Sequence, residues 1–552
     1  MTGIVCFSAL ANLIALTIVS GSSSFLKTRV ADSEARISLQ EVQTSLLEEI
    51  EGSLGSGSAA KKLSQLEAQL RPMYQALPKN AQGGLSHSVV RYALHRLFVQ
   101  RHGWVVKGLD PAGGSFNSSS PAGILKDQVP AFIQDLFEKR LHGKGMGLHE
   151  LAVFAATIEH LIHNEAVGRL GLSLNVHEIL PTSTMSEVEA DGVLDTYMMA
   201  YILGENLTNM TLDYVKDSLA EMPELYLAWN ETQEFMRGMR ANTTAATLSH
   251  EINFATLAKV AEAAGEHFGS FQDRECRELK DKLVAMEDRA SGRVRLAEFY
   301  KPALDGAWQF QESVSYLQQL GALDESDPQD LRVLIPNYLM SQSNCIASSS
   351  FYSVCCMDEC EALMGHLEAE IAGPEAPADR IASLISKLPS SSVNAPWTLS
   401  STQVQRLNDI AASHGGTVPI HGRLFAQWMH HAYPRECEYP HLSGTTNPQT
   451  EAEWTDQGRE ATATHAEMLE YCSPSQQDGA RDDLDLKEVD MPWSHEEELL
   501  IMRSSQPASS ALMSVRNFML LAALGSVLMG LVRMSKTAQP VKGSDNLHKQ
   551  FV

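Results

Sequence analysis

Four of the eight cysteines of this 552-residue chain fall within sixteen positions, in the run NCIASSSFYSVCCMDEC from Asn344 to Cys360. Thiols this close can bind zinc, act as nucleophiles or pair. Zinc needs two CxxC-like hooks to close a tetrahedron, whereas the spacing here is C-x9-CC-x3-C. A nucleophilic Cys345 has no activating base marked beside it. Pairing is the favoured chemistry if the segment sits in an oxidising compartment. Setting aside Cys6, the candidates are Cys276, Cys345, Cys355, Cys356, Cys360, Cys437 and Cys472. Seven is an odd number, so at least one thiol is free or pairs between molecules. Val354, Met357, Leu363, Met364 and Leu367 recur near helical spacing from about Ser353. Adjacent Cys355 and Cys356 on such a helix diverge by about 100° and take different partners, with Cys345 on one side and Cys437 or Cys472 on the other.

The second constellation is oxygen-based. In LKDKLVAMEDRASGRVRLAEFY, placing Gly292 at the sixth position of a calcium loop puts Glu287 first, Ser291 fifth, Val294 eighth and Glu298 twelfth. The run resembles an EF-hand: a helix, a loop turned by glycine, an apolar eighth residue and a bidentate glutamate. Arg289 stands where a carboxylate is needed. The weak metal candidates are therefore Glu287, Ser291 and Glu298, with Ca²⁺ as the one possible cofactor and an ordinary αα-hairpin as the rival. A second stretch, EVEADGVLDTYMM, aligns Glu187, Glu189, Asp191 and Gly192 but puts Met198 where the bidentate glutamate belongs. Histidines supply a third constellation. His421, His430, His431 and His441 invite a metal, but they divide between a helix and a Pro-rich loop. In GLHELAVFAATIEHLIHNEAVGRL, His160 and His163 lie one turn apart with Glu159 beside them. No HExxH or second Glu-x-x-His helix completes that site, which reads as a solvated polar face.

The compartment must be sought at the two ends. Ile4 to Val19 is uncharged and about the length of a signal-peptide core, followed by VSGSSS. Residues 1–21 are expected to be a signal peptide. Near the other end, Phe518 to Val532 is uninterruptedly apolar, and extension to Leu512 gives a bilayer-spanning length. Arg516 can snorkel to the interface. Arg533, Lys536 and Lys542 place the tail, 533–552, on the cytosolic side. The sequence thus predicts one transmembrane helix at 512–532 and a lumenal or extracellular N-terminal part. Sequons at Asn117, Asn206, Asn209, Asn230 and Asn242 all fall in that part as glycosylation candidates. The net charge of -25 repels nucleic acid and argues against a phosphate-backbone partner.

The elements that must position these residues read as helices. A 30–102 region carries Ile37, Val42, Leu46, Leu47 and Ile50 on one stripe. A helical domain spans 125–323 and includes the loop at 287–298. Residues 324–335 read as a boundary before a Cys-containing helical domain at 331–473. Residues 474–510 are polar and acidic and read as a flexible stalk. β-Branched runs are scarce, so the fold class is mainly α, a multi-helix ectodomain with an EF-hand-like helix–loop–helix and a single C-terminal transmembrane helix.

The runs RYALHRLFVQRHGW, LIPNYLMSQSNCIASSSFYSVCCMDECE and HGRLFAQWMHHAYPRECEYPHLSGTTNP resemble those of an uncharacterised protein family of dinoflagellate-type protists. The resemblance covers most of residues 70 to 450. It implies one ectodomain unit and carries no activity or catalytic residue. The leading expectation is a single-pass type I membrane protein of the secretory pathway or cell surface. Its glycosylated, disulfide-containing helical ectodomain would have protein partners and a structural or interaction role. A calcium-responsive module and a thiol- or metal-dependent hydrolase are the alternatives. No P-loop, GxSxG, HExxH, CxxC or dinucleotide fingerprint supports an enzyme.

Overall fold

The computed structural model describes residues 58–109, 145–246, 251–346, 349, 352–472 and 492–500. Among them are sixteen α-helices and seven short strands. Helices α1 (Ser58–Ala76) and α2 (His87–His102) lead into β1 (Trp104–Val106). Helices α3 (Leu148–Val176), α4 (Glu187–Leu203), α5 (Leu212–Leu225), α6 (Trp229–Ala245) and α7 (Phe254–Ala285) follow. A mixed stretch holds β2 (Arg293–Arg295), α8 (Leu296–Leu304), α9 (Val314–Leu320), β3 (Leu323–Asp324), β4 (Arg332–Leu334), α10 (Ile335–Met340) and β5 (Tyr352–Val354). The last stretch holds α11 (Glu359–Ile371), β6 (Glu375–Ala376), α12 (Ala378–Ile385), α13 (Ser401–Ser413), β7 (Val418–Pro419), α14 (Arg423–Ala432), α15 (Glu451–Thr455) and α16 (His465–Cys472).

Local chemistry sets the helix starts. Ser186 and Glu189 form a capping box at α4, Ser400 and Gln403 do so at α13, and Asn253 accepts from the Thr256 N–H at α7. Each satisfies backbone donors that the first turn cannot. One device then recurs. Leu85 pairs antiparallel with Met146, Met185 with Ile252, and Val294 with Val333. Each of these residues stands two positions ahead of a helix. Ala376, two positions ahead of α12, pairs in the same way with Val418, which stands five ahead of α14. All eight side chains are buried. Helix–loop–helix units are thus stitched together two by two, each stitch satisfying backbone groups and burying two aliphatic side chains. Two cores result in the second half. One packs Leu367, Ile381, Leu407, Phe425 and Trp428 between α11, α12, α13 and α14. The other packs Leu283, Phe299, Leu317 and Tyr338 around the β2–β4–β3 sheet.

The structure agrees with the mainly α reading and corrects several others. The expected span at 512–532 lies outside the described residues, as do 1–21, 30–57, Asn117 and the tail. Among the described residues no helix is long and apolar enough to cross a membrane. Helices α3 and α7 have the length, at 29 and 32 residues, but carry charged side chains along it. The single-pass membrane architecture is therefore not carried forward.

The calcium loop is also corrected. Glycine at 292 does turn the chain, with φ of 71°. The nominated ligands, however, have other partners. The Glu287 carboxylate accepts from the Gly292 N–H at 2.5 Å and pairs with Arg435. Ser291 donates its hydroxyl to the Asp288 carbonyl at 2.6 Å, and Glu298 pairs with Lys301 at 2.6 Å. The Arg293 carbonyl, which a bound ion would use, accepts from the Asp288 N–H at 2.8 Å. The unit is an internally satisfied helix–loop–helix and no longer an EF-hand-like module. The second loop, 187–198, lies inside α4.

Three further segments differ from expectation. No helix starts at Ser353. Tyr352–Val354 is a strand paired with Trp104–Val106, and α11 begins only after Asp358 caps it. Residues 324–335 contribute β3 and β4 to one sheet with β2. Within the expected stalk, residues 492–500 lie along α14: the Glu498 carbonyl accepts from the Arg423 N–H at 3.0 Å, and Leu499 bridges Gly422.

Candidate functional site

Helix α2 carries an arginine on its inner face. Arg96 is 3% exposed, which isolated charge does not tolerate. It is tolerated because α11 presents two carboxylates to it. The Arg96 Nε–H donates to Glu361 Oε1 and Oε2 at 2.7 and 2.8 Å, and the far end of the guanidinium pairs with Glu368. Burial opposes the charge on Arg96, yet Glu361 and Glu368 hold it protonated well above the ordinary arginine range. Burial likewise works against Glu368, but Arg96 and His421 outweigh it and hold that carboxyl at about 2. Because Glu368 is ionised it can only accept, so His421 Nε2–H donates to it at 2.8 Å. Burial keeps His421 below its usual range despite the carboxylate. The ring is therefore neutral at pH 7, with its lone pair on Nδ1. That buried atom has no hydrogen-bond partner.

Over this network lies a cavity of about 420 Å³. Helix α2 contributes Tyr92, His95 and Val99, one helical face at i, i+3 and i+7. Cys360, Glu361 and Met364 of α11 form a second wall, and Phe425, Ala426 and Met429 of α14 a third. The loop from Cys437 to Ser443 and residues 498–500 close the rim. Tyr92 meets the His421 ring edge-on at 5.9 Å. Asp358 also borders the cavity. Burial, and then the nearby Glu361, raise its carboxyl well above the ordinary carboxylate range. Met340, Ile420 and Leu499 add apolar surface, while Asn337, Arg423, Glu438 and Glu498 add polar and charged groups toward the rim. Such a cleft suits an organic molecule that is mostly apolar and carries a hydrogen-bond donor at one end.

Three disulfides brace the surroundings: Cys276–Cys356, Cys345–Cys355 and Cys360–Cys437. The third ties α11 to the loop after α14, fixing two walls of the cavity. Cys472 remains a thiol, partly buried against the Ala297 carbonyl. Cys345 pairs with Cys355, one of the partners the sequence left open. Cys356 takes Cys276 rather than Cys437 or Cys472, because the two thiols diverge as the chain leaves β5 rather than around a helix. A bonded Cys345 is no free nucleophile.

The histidines are dispersed. His421 and His441 both border the cavity, but His441 Nε2 is spent on the Gly321 carbonyl at 2.7 Å. His430 donates from Nδ1 to the Cys437 carbonyl at 2.8 Å. His431 donates from Nε2 to the Pro492 carbonyl at 3.1 Å and accepts from Arg406 at Nδ1. Their rings stand at 90°. Among the described residues no group of three or more His, Cys, Asp or Glu could hold a metal ion. Glu159 is another correction. It is buried beside Lys62 at 3.2 Å, Arg101 at 3.6 Å and His102 at 3.5 Å, not on a solvated face. The sequon asparagines Asn206, Asn209, Asn230 and Asn242 are all exposed, and the Asn206 side chain accepts from Thr208. The Arg96 network is the part sequence reasoning missed. An arginine within a helical run carries no mark of burial until its partners, 265 and 272 positions away, are known.

Fold and site together define a disulfide-braced, mainly α-helical protein with a cleft over a buried charge network. No family model, curated protein or solved structure matches the chain.

Proposed function

We propose that this protein binds a small, mostly apolar organic molecule in the cleft above Arg96 and does so in an oxidising compartment. The observation that carries the reading is the cavity of about 420 Å³ bordered by His421, whose Nδ1 is a buried acceptor with no donor. A ligand hydroxyl or N–H reaching that nitrogen would satisfy it while the ligand's body lies against Met364, Phe425 and Met429. The network beneath fixes the ring: Glu368 selects the tautomer and Arg96 fixes Glu368. The Cys360–Cys437 bond holds the walls apart before a ligand arrives, which lowers the ordering cost of binding. Three disulfides support an oxidising setting. The apolar Ile4–Val19 segment and the exposed sequons are in keeping with the secretory pathway and glycosylation.

The test uses 2-naphthol, a neutral fluorophore with one O–H donor. It should bind saturably and one-to-one to the oxidised protein. Met364→Trp fills the cleft and should abolish binding while leaving the unfolding midpoint within a few degrees of the parent. Undiminished binding in that variant would remove the cleft from consideration.

A further inference from the structure

A second cavity, of about 340 Å³, lies between α7 and the 308–312 segment. Its chemistry differs from that of the first. Trp308, Phe310, Tyr316 and Tyr338 contribute four aromatic rings, and Glu275, Glu312 and Glu451 three carboxylates. Among the described residues no lysine, arginine or histidine lines it. Trp308 is 70% exposed, so its ring stands at the mouth of the concavity with a face available to a ligand. Glu312 is held in place: Tyr338 donates to its Oε1 at 2.7 Å, and its main-chain carbonyl accepts from Tyr300 at 2.8 Å. Its Oε2 is closed to solvent and meets no donor. A buried carboxylate oxygen without a partner in a cavity free of cationic side chains calls for a positive charge from outside.

The aromatic rings decide what kind of cation. The described residues gather no set of metal-binding side chains here, and a hard divalent ion gains little from ring faces. An alkylammonium group gains from both: its charge is attracted to carboxylates and to the negative faces of Trp and Tyr, and its methyl groups bury apolar surface. We infer that this cavity is a binding site for an organic ammonium cation, with Glu312 as the buried counter-charge and Trp308 as the ring that closes over it. Burial also holds the Glu312 carboxyl above its usual range. This site stands apart from the cleft above Arg96 and does not depend on the reading given for it.

The probe is choline, titrated calorimetrically into the full oxidised chain beside 3,3-dimethylbutan-1-ol, which has the same shape without the charge. Choline should bind one-to-one and at least tenfold more tightly than the alcohol. Trp308→Ala removes only an exposed ring, so its fold is safe, and it should weaken choline at least tenfold. Glu451→Gln, also at the surface, should weaken it several-fold, and the cleft-filling Met364→Trp should leave it unchanged. Absence of choline binding, equal binding of the neutral alcohol, or full binding by Trp308→Ala would each overturn the assignment.

Discussion

Glu368→Gln is the sharpest perturbation of the buried network, because it removes one charge and keeps the shape. Glu368 is 1% exposed, and its carboxyl is held at about 2 against an ordinary 4.5. At about 1.4 kcal/mol for each tenfold change, that difference amounts to about 3 kcal/mol of folded-state stabilisation. The folded value lies below the unfolded one, so the contribution is complete above about pH 4.5. It is lost as pH falls toward 2, where both states bind the proton. The variant should therefore be about 3 kcal/mol less stable than the parent at pH 7, and the gap should narrow steadily below pH 4.5. Urea unfolding followed by circular dichroism from pH 7 downward measures this, urea being uncharged. The difference between the two curves isolates Glu368 from every other carboxylate. A gap that stays constant with pH, or a variant as stable as the parent at pH 7, would refute the reasoning.

Further outcomes follow from the same physics. Burial holds His430 at about 4 and His431 at about 3. Both lie below the ordinary 6.5, so the neutral forms stabilise the fold above that pH and stability falls as pH drops from 6.5 toward 4. The urea midpoint should thus be lower at pH 5 than at pH 7.5, and His431→Gln should lessen that fall. Non-reducing peptide mapping should recover the three disulfides with Cys472 alkylated. Replacing Cys276 and Cys356 together by serine opens a loop of 80 residues and should cost about 4 to 5 kcal/mol, against about 3 for the ten-residue Cys345–Cys355 loop. Arg293 and Asp324 form a pair at 2.7 Å with 5% and 3% exposure. Arg293→Met leaves Asp324 unpaired and should cost about 3 to 5 kcal/mol in urea unfolding, much of it recovered by adding Asp324→Leu. Adding a methyl at Gly269 places it 1.9 Å from the His102 carbonyl oxygen, so Gly269→Ala should lower the melting temperature markedly through overpacking between α2 and α7.

Helical periodicity was legible because it is local. Leu151, Ala155, Ile158 and Ile162 recur at helical spacing and are buried in α3, though Leu148 is only partly so and the residues between Leu151 and Glu159 are buried as well. The stitches between helix starts were not legible. Each is one to three residues long, too short for alternation to register, and the spacing between successive stitches is irregular. The helix expected at Ser353 failed for a tertiary reason, since pairing with β1 outweighs the apolar spacing around Val354. The glycine and apolar residue of the 287–298 loop were correctly read as a turn between helices. The ligand assignment failed because Arg435, 148 positions on, occupies Glu287. The cleft shows the same limit more strongly. Cys360, Cys437, His421 and His441 each stood out by type, but only the fold brings them to one cavity, and only long-range partners tell which nitrogen of His421 remains open.

The most direct measurement compares the dissociation constants of 2-naphthol and 2-methoxynaphthalene, in which a methyl group replaces the hydroxyl hydrogen and removes the donor. One neutral hydrogen bond to His421 Nδ1 is worth about 0.5–1.5 kcal/mol. The oxidised protein should therefore prefer the naphthol about three- to tenfold, and His421→Phe should bring the two constants together. Equal affinities in the parent protein, or an undiminished preference in His421→Phe, would contradict the account.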